Sequence, residues 1–347
     1  VTLPRIFGWL ADTNGCGYYR IMLPLAELDR RGAADTAFHG NMLAAYATGS
    51  RPGDIRITDG NEPAVVIGQR VCLPGPSETW QLLAGHDRFR LVFDIDDDLF
   101  RVDQANAVAH RYFNQPGVRR NLAENLRVAH MVTVSTEPLA EQMRQYSDNV
   151  VVIGNHLDAA VLDYERPDRD GLTVGWAGSA THGADFAAVS PYLRSFFMRR
   201  PAVRWHSFGH DYGPMTGATR RRFTKWRDIV EDQAAYCASM RWDIGIAPLA
   251  DTPFNACKSD LKAREYMAAG IPAVYSRVAP YAATIRHGET GFLASTRKEW
   301  LEALDALADD PGLRERMGKA AREQAADFTI QGAGGGLWLD ALNRLVW

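Results

Sequence analysis

Short apolar runs recur along the chain, separated by longer stretches in which apolar residues return every three or four positions. In the first half the runs fall at residues 5–11, 64–69, 90–95, 131–135 and 150–154; in the second half they fall at 172–176, 203–208, 242–248 and 272–276. Several are rich in Val and Ile, as strands buried on both faces of a parallel sheet are. Between them, Ile21, Leu25 and Leu28 repeat with a helical period, as do Leu122, Leu126 and Ala129, and then Trp300, Leu301, Leu304 and Leu307. Alternating strand and helix predicts an α/β protein with doubly wound parallel sheets.

The pattern restarts after the polar stretch "NHLDAAVLDYERPDRDG", residues 155–171, which places a domain boundary there. A glycine cluster in "AADFTIQGAGGG", residues 325–336, sets off a final helix, 337–347. The expected division is 1–155, 156–330 and 331–347. A chain of 347 residues suits two domains. With 46% hydrophobic and 23% charged residues it builds ordinary globular cores. A net charge of −3 argues against a strongly basic nucleic-acid binder. Cys16, Cys72, Cys237 and Cys257 form no CxxC pair, so neither a zinc site nor a disulfide framework is expected, and reduced thiols are the default. The sequence shows no secretory signal pattern and no apolar stretch long enough for a membrane span, so the expected location is cytoplasmic.

Two doubly wound domains facing each other would form a cleft, and in such sheets ligands bind beyond the carboxyl ends of the strands. The first strand is followed by "DTNGCGYYR", residues 12–20. Gly15 and Gly17 permit a tight turn, and the helix after it would offer free N–H groups to an anion. Arg20 is a cation in the first turn, an unfavourable place unless an anion lies near. A plain strand-to-helix turn accounts for this loop equally well. The second half begins with "GWAGSATHGADF", residues 175–186, where Gly178, Ser179, Thr181 and His182 are small or hydrogen-bonding residues at a strand end. Ser or Thr there also serves as an N-cap.

The most informative stretch is "PFNACKSDLKAREYMAAGIPAV", residues 253–274. Ser259 reads as an N-cap of a helix that runs to Ala269 and is stopped by Gly270 and Pro272. At about 100° per residue, Lys258, Lys262 and Glu265 share one face. Lysines at a helix start suit a diphosphate, and a glutamate farther along would accept hydrogen bonds from a ribose diol. A solvated face with charge pairs explains the same spacing.

This stretch resembles the donor-binding signature of family 4 glycosyltransferases of the GT-B fold, in which a glutamate opens "E-x-M-A-x-G-x-P-V", as Glu265 does in "EYMAAGIPAV". "TGFL" at 290–293, "VVIGNHLD" at 151–158 and "IAPLADTPFN" at 246–255 fit the same pattern. The resemblance implies two Rossmann-like domains facing a cleft, the first on the acceptor side and the second on the nucleotide-sugar side, with the last helix returning to the first. It implies a retaining, metal-independent transferase whose co-substrate is a nucleotide-diphosphate sugar, a UDP-sugar first, with no other cofactor. The donor would be held by Gly15, Gly17, Arg20, Gly178, Ser179, Thr181, His182, Ser259, Lys262 and Glu265. The family's second glutamate is replaced by Cys257, with Lys258 beside it to take over part of its role, and the glycine after the linker asparagine is His156. The acceptor stays open among a glycan, a protein and a modified DNA base. A nucleotide-sugar epimerase and a non-catalytic nucleotide-sugar-binding protein are the alternatives.

"RLVFDIDDDLF", residues 90–100, ends an apolar run in Asp94, Asp96, Asp97 and Asp98. Asp96 and Asp97 stand where the resembling family has catalytic residues. Three readings compete: a metal site on the diphosphate; an acceptor-side wall; and a structural run that caps the next helix and pairs with Arg70, Arg90 or Arg101. Crowding is expected to raise the carboxylate pKa values. "RRRFTKWR", residues 220–227, is basic with interleaved aromatics and reads as a solvated helix face or a nucleic-acid contact. Residues 226–230 are expected near the nucleotide base.

Overall fold

A computed structural model of the chain describes residues 3–39, 45–47, 55–57, 64–163, 171–225 and 233–345. The chain divides into two compact units: Val1–His156 with Cys257–Ser259 and Ile330–Trp347, and Leu157–Ala256 with Asp260–Thr329. The second unit is thus interrupted by a short stretch that belongs to the first, which the sequence pattern did not anticipate.

The first unit contains β1 (Ile6–Trp9), β2 (Thr36–His39), β3 (Ala45–Ala47), β4 (Ile55–Ile57), β5 (Val65–Gln69), β6 (Arg90–Ile95), β7 (Met131–Val134) and β8 (Val150–Val152). The short antiparallel pair β3–β4 stands apart as its own sheet. The main sheet is ordered β2-β1-β5-β6-β7-β8, all parallel. Its order reverses between β1 and β5, and that is where a doubly wound sheet opens a crevice. Val65, Val66 and Ile67 on β5 and Leu91, Val92 and Phe93 on β6 are fully buried, because helices cover both faces of a parallel sheet. Trp80, on the helix Pro74–Ala84, packs edge-on against Phe93 and donates its indole N–H to the Asn125 carbonyl at 3.1 Å.

The helix after β1 runs through a π turn at Tyr18–Met22 into Leu23–Arg30. The π turn lies just before Pro24, which has no N–H to donate and whose ring would crowd a regular turn. Arg20 sits on this turn and is 1% exposed. Its guanidinium meets Asp94 through Nε at 3.2 Å and Nη2 at 2.7 Å. It also donates to the Ile153 carbonyl, and to Asn155 Oδ1 at 3.2 Å. Thr133 adds a hydroxyl donor to Asp94 at 2.8 Å. The final helix, Gly335–Asn343, completes this core: Trp338 is buried with its ring 5.7 Å from the Arg20 guanidinium. Position 347, expected at that helix's end, lies outside the described residues. Gly334 is required where the His156 ring lies, since a Cβ there would come within 2.5 Å of it.

The second unit contains β9 (Thr173–Gly178), β10 (Arg204–Gly209), β11 (Arg220–Lys225), β12 (Ile244–Ala247), β13 (Ala273–Ser276) and β14 (Phe292–Ala294). They pair in parallel as β11-β10-β9-β12-β13-β14. This is the Rossmann order, with its reversal between β9 and β12. Tyr266 ties the two strands at that point: its hydroxyl donates to the Ile246 carbonyl and accepts from the Ala177 N–H, each at 3.2 Å. Phe186 stacks on Tyr212 at 4.2 Å beside Trp176 and Trp205, and Trp300 closes the same core. The stretch expected as a basic helix face is instead β11, an exposed edge strand, so its arginines alternate across a sheet edge. Residues 226–230, expected near the nucleotide base, lie outside the described residues.

The Arg20–Asp94 pair is buried, with side chains 1% and 0% exposed. Asp94→Asn is expected to cost about 3–5 kcal/mol, because it leaves a buried guanidinium uncompensated. The double change Arg20→Met with Asp94→Leu should recover most of that loss. Urea denaturation checks both; a loss under about 1 kcal/mol for Asp94→Asn would show that the pair is not a structural tie.

Candidate active site

The aspartate run leaves the carboxyl end of β6, and each of its carboxylates meets a cation. Asp94 faces Arg20. Asp96 faces Arg70 at 3.5 Å, Asp97 faces Lys258 Nζ at 3.5 Å, and Asp98 accepts from Arg101. Arg90, proposed from sequence as a partner, sends Nη1 to the Asp87 carbonyl at 2.8 Å. Among the described residues no group of three or more His, Cys, Asp or Glu is arranged to hold a metal ion. Crowding does not raise both carboxyls. Burial pushes Asp94 up despite Arg20. At Asp96 burial acts the same way, but Arg70 and a hydrogen bond from Cys16 outweigh it and hold the carboxyl below its ordinary value.

Arg70 follows β5 and is the single non-glycine among the described residues with positive φ, at 49°. A side chain in the left-handed region is strained and often marks a functional site. The turn aims Arg70 back at Asp12, with which it forms a direct ion pair. Asp12 in turn accepts the N–H groups of Asn14 at 2.9 Å and Gly17 at 3.3 Å. The 12–17 loop therefore closes on its own carboxylate. Gly17 is needed because a Cβ there would lie 1.9 Å from the Asp12 carbonyl oxygen, while Gly15 faces open space. In this structure the Asn14 and Gly17 N–H groups of the expected anion cradle point to Asp12. Arg20 is likewise a core residue held by Asp94.

The lysine stretch also departs from expectation. The helix spans Leu261–Ala268 with Asp260 at its N-cap, so it starts later than the sequence suggests. Ser259 accepts a hydrogen bond from Asn155 at 3.1 Å instead of capping the helix. Lys258 turns to Asp97 and clusters with the first unit, so it does not share a helix face with Lys262. Cys257 is buried, with its carbonyl accepting the Thr136 hydroxyl at 2.8 Å and its sulfur 3.5 Å from Arg101 Nη2. Burial and the nearby Asp98 push its thiol up, so it is not poised as a nucleophile.

The second unit holds its own cluster at the end of β9. His182 Nδ1 lies 2.7 Å from Asp185 Oδ2, and His182 Nε2 lies 3.3 Å from Lys262 Nζ. Asp185 is fixed by the Ala250 N–H at 2.8 Å and the Asn255 side-chain amide at 3.2 Å. Those partners orient the imidazole with Nδ1 on the carboxylate and Nε2 toward the lysine. Lys262 Nζ sits 5.8 Å from the Trp176 ring, whose buried indole N–H has no partner among the described residues. Gly178 is required by that indole: a Cβ there would come within 2.4 Å of it. Ser179 and Thr181 hydroxyls pair at 2.8 Å on the exposed turn. Glu265 is 4% exposed and hydrogen-bonds the buried Tyr236 hydroxyl. Asp185 and Trp176 escaped the sequence reading, although His182 and Asp185 lie three apart where a helix begins.

Residues 261–324, which contain Lys262 and Glu265, match the family model "Glycosyl transferases group 1". A D-inositol 3-phosphate glycosyltransferase from Corynebacterium diphtheriae is 42% identical over 114 residues, 32% of this chain and 25% of that protein. One from Arthrobacter sp. is 41% identical over 73 residues, 20% of this chain and 17% of that protein. The chain thus spans a quarter or less of the length of these two relatives. Sucrose-phosphate synthase from Thermosynechococcus elongatus superposes with a TM-score of 0.68 at 16% identity, covering 98% of both chains. Anabaena HepE in complex with UDP and glucose gives 0.67 at 14% identity, covering 98% of this chain and 100% of that one. At those identities the likeness is one of fold: the chain has the α/β GT-B fold, two units each built on a six-stranded parallel sheet.

The Arg70–Asp96 pair stabilises the fold while Asp96 is charged, and Arg70 holds that carboxyl below its ordinary value. A carboxyl held below its ordinary value contributes stability above the unfolded pKa of about 4 and loses it as pH falls through the depressed folded value. The stability gap between wild type and Arg70→Met is therefore expected to be largest at neutral pH and to shrink below about pH 4. Acid unfolding followed by circular dichroism tests this; a gap independent of pH would show that Arg70 acts by packing alone.

Proposed function

We propose that the chain is a retaining glycosyltransferase that carries a hexose from a uridine diphosphate sugar to an acceptor hydroxyl. The observation that carries this reading is the Asp185–His182–Lys262 line against Trp176, at the point where the second sheet reverses its order. Lys262 lies within the segment that matches the glycosyl transferases group 1 model. A departing diphosphate gathers negative charge as the sugar's anomeric C–O bond breaks. An ammonium held in place by a braced imidazole stabilises that charge as it develops. Glu265 is assigned the ribose hydroxyls, and uridine is favoured because HepE is a complex with UDP and glucose.

In the reaction the electron pair of the broken bond stays on the nucleotide. The acceptor oxygen forms the new bond to the anomeric carbon on the same face, and its proton passes to the departing phosphate. No cofactor beyond the sugar nucleotide is assigned. The relatives' name points to a small phosphorylated acceptor, but the matched portion is too short to bring that acceptor to this chain. One observation favours a second reading, a nucleotide-sugar-binding protein without turnover: Cys257, at the place of the resembling family's second glutamate, is buried against Arg101.

UDP at 100 times its dissociation constant should add about 2.7 kcal/mol to stability, seen as an upward shift in Tm. Lys262→Ala and His182→Ala are each expected to weaken UDP binding about tenfold, and the double variant less than the product, because the two side chains touch. Calorimetry with UDP decides: unchanged affinity in Lys262→Ala removes the assignment. Release of free sugar from UDP-glucose separates the enzyme from the silent binder.

A further inference from the structure

A cavity of about 380 Å³ lies in the first unit at the carboxyl ends of β1 and β5. Its place is the reversal point of that sheet, and its volume falls within the range of about 300–1,000 Å³ typical of small-molecule sites. Its lining includes the aromatic residues Trp9, Tyr112 and Phe113 with Leu73 and Pro76. It also includes the polar side chains of Asp12, Gln69 and Arg70. Nothing in the assignment of the donor uses this cavity.

Two features define what fits. The first is Gln69, 2% exposed, whose Oε1 accepts the Ala11 N–H at 3.2 Å. That bond fixes the amide, and its buried Nε2 has no partner among the described residues. A buried amide donor without a partner is costly, so an oxygen of the occupant is expected there. The second is charge. Arg70 is engaged by two carboxylates, Asp12 directly and Asp96 at 3.5 Å. Among the described residues the cavity's charged lining is thus Asp12 and Arg70, already paired with each other, and Arg70 also faces Asp96. A phosphate monoester placed here would add its charge beside Asp12, and the cation among the described lining residues is already engaged. Burial and contact with Cys72 push the Tyr112 hydroxyl up to about 12, so the aromatic lining stays uncharged.

We propose that this cavity binds the acceptor and selects an uncharged carbohydrate, with the ring's C–H face on the Tyr112–Phe113 wall and hydroxyls on Gln69 and Asp12. The electron-rich faces of aromatic rings favour the slightly positive C–H groups of a sugar ring. The carboxylate of Asp12 accepts from hydroxyls, and the Gln69 amide donates to them. The name acceptor rests on the glycosyltransferase reading; the preference for an uncharged sugar does not.

The test is binding to the whole chain without nucleotide. Glucose, mannose and their methyl glycosides are compared with the same sugars bearing a phosphate monoester, by saturation-transfer NMR and calorimetry. At least one neutral probe should bind, and its phosphorylated counterpart at least tenfold more weakly. Phe113→Ala, on the half-exposed wall, should weaken the neutral probe about tenfold, and so should Gln69→Leu if it folds. Asp12→Asn should narrow the discrimination against phosphate severalfold. Equal or tighter binding of the phosphorylated sugars overturns the proposal, as does failure of every neutral probe or indifference to Phe113→Ala. UDP binding is scored separately. A chain that binds neutral sugars but not UDP keeps this inference and loses the transferase; the reverse does the opposite.

Discussion

Four carboxylates at the end of one central strand would repel one another and drive that strand end apart unless each were neutralised. The first unit meets this with four cations drawn from four places in the chain. Arg20 comes from the helix after β1, Arg70 from the turn after β5, Arg101 from the same loop and Lys258 from far downstream. Much of that unit's architecture follows. Arg70 accepts a left-handed backbone to reach its partners. Residues 257–259 cluster with the first unit because Lys258, Ser259 and Cys257 all bond there.

The same neutralisation decides where an anionic ligand is welcome. In the first unit Arg20, Arg70 and Arg101 have their counterions already, and even the loop donors of Asn14 and Gly17 are taken by Asp12. In the second unit Lys262 Nζ meets His182, whose other ring nitrogen meets Asp185.

The sequence was legible where burial imposes a period. β5, β6 and β7 are Val- and Ile-rich on both faces and stand out, and the Trp300–Leu307 stripe marks its helix. It was silent where exposure removes the pattern: β11 is nearly all arginine and lysine on a sheet edge, and β2 is half-exposed. Lys262, Glu265 and His182 were visible as chemistry because a motif surrounds them. Gln69 was not, since its role comes from a long-range amide bond, and Arg70 was named as an aspartate partner without the backbone twist that aims it. Asp96 was visible, but not the direction of its pKa, which depends on an arginine 3.5 Å away that spacing cannot supply. His156, a departure from the resembling family's glycine, makes sense only with Gly334, which leaves the room its ring needs.

The way the chain is shared between the units has a consequence for its birth on the ribosome. Domains tend to fold as they are synthesised, N-terminal first. Here the earlier unit lacks the wall formed by Trp338 and the carbonyl of Gln331, which Arg31 Nη2 reaches at 2.7 Å, until the whole of the later unit has been translated. The half that begins first is finished last, and the nascent Arg20–Asp94 pair must wait, part-covered, for its lid.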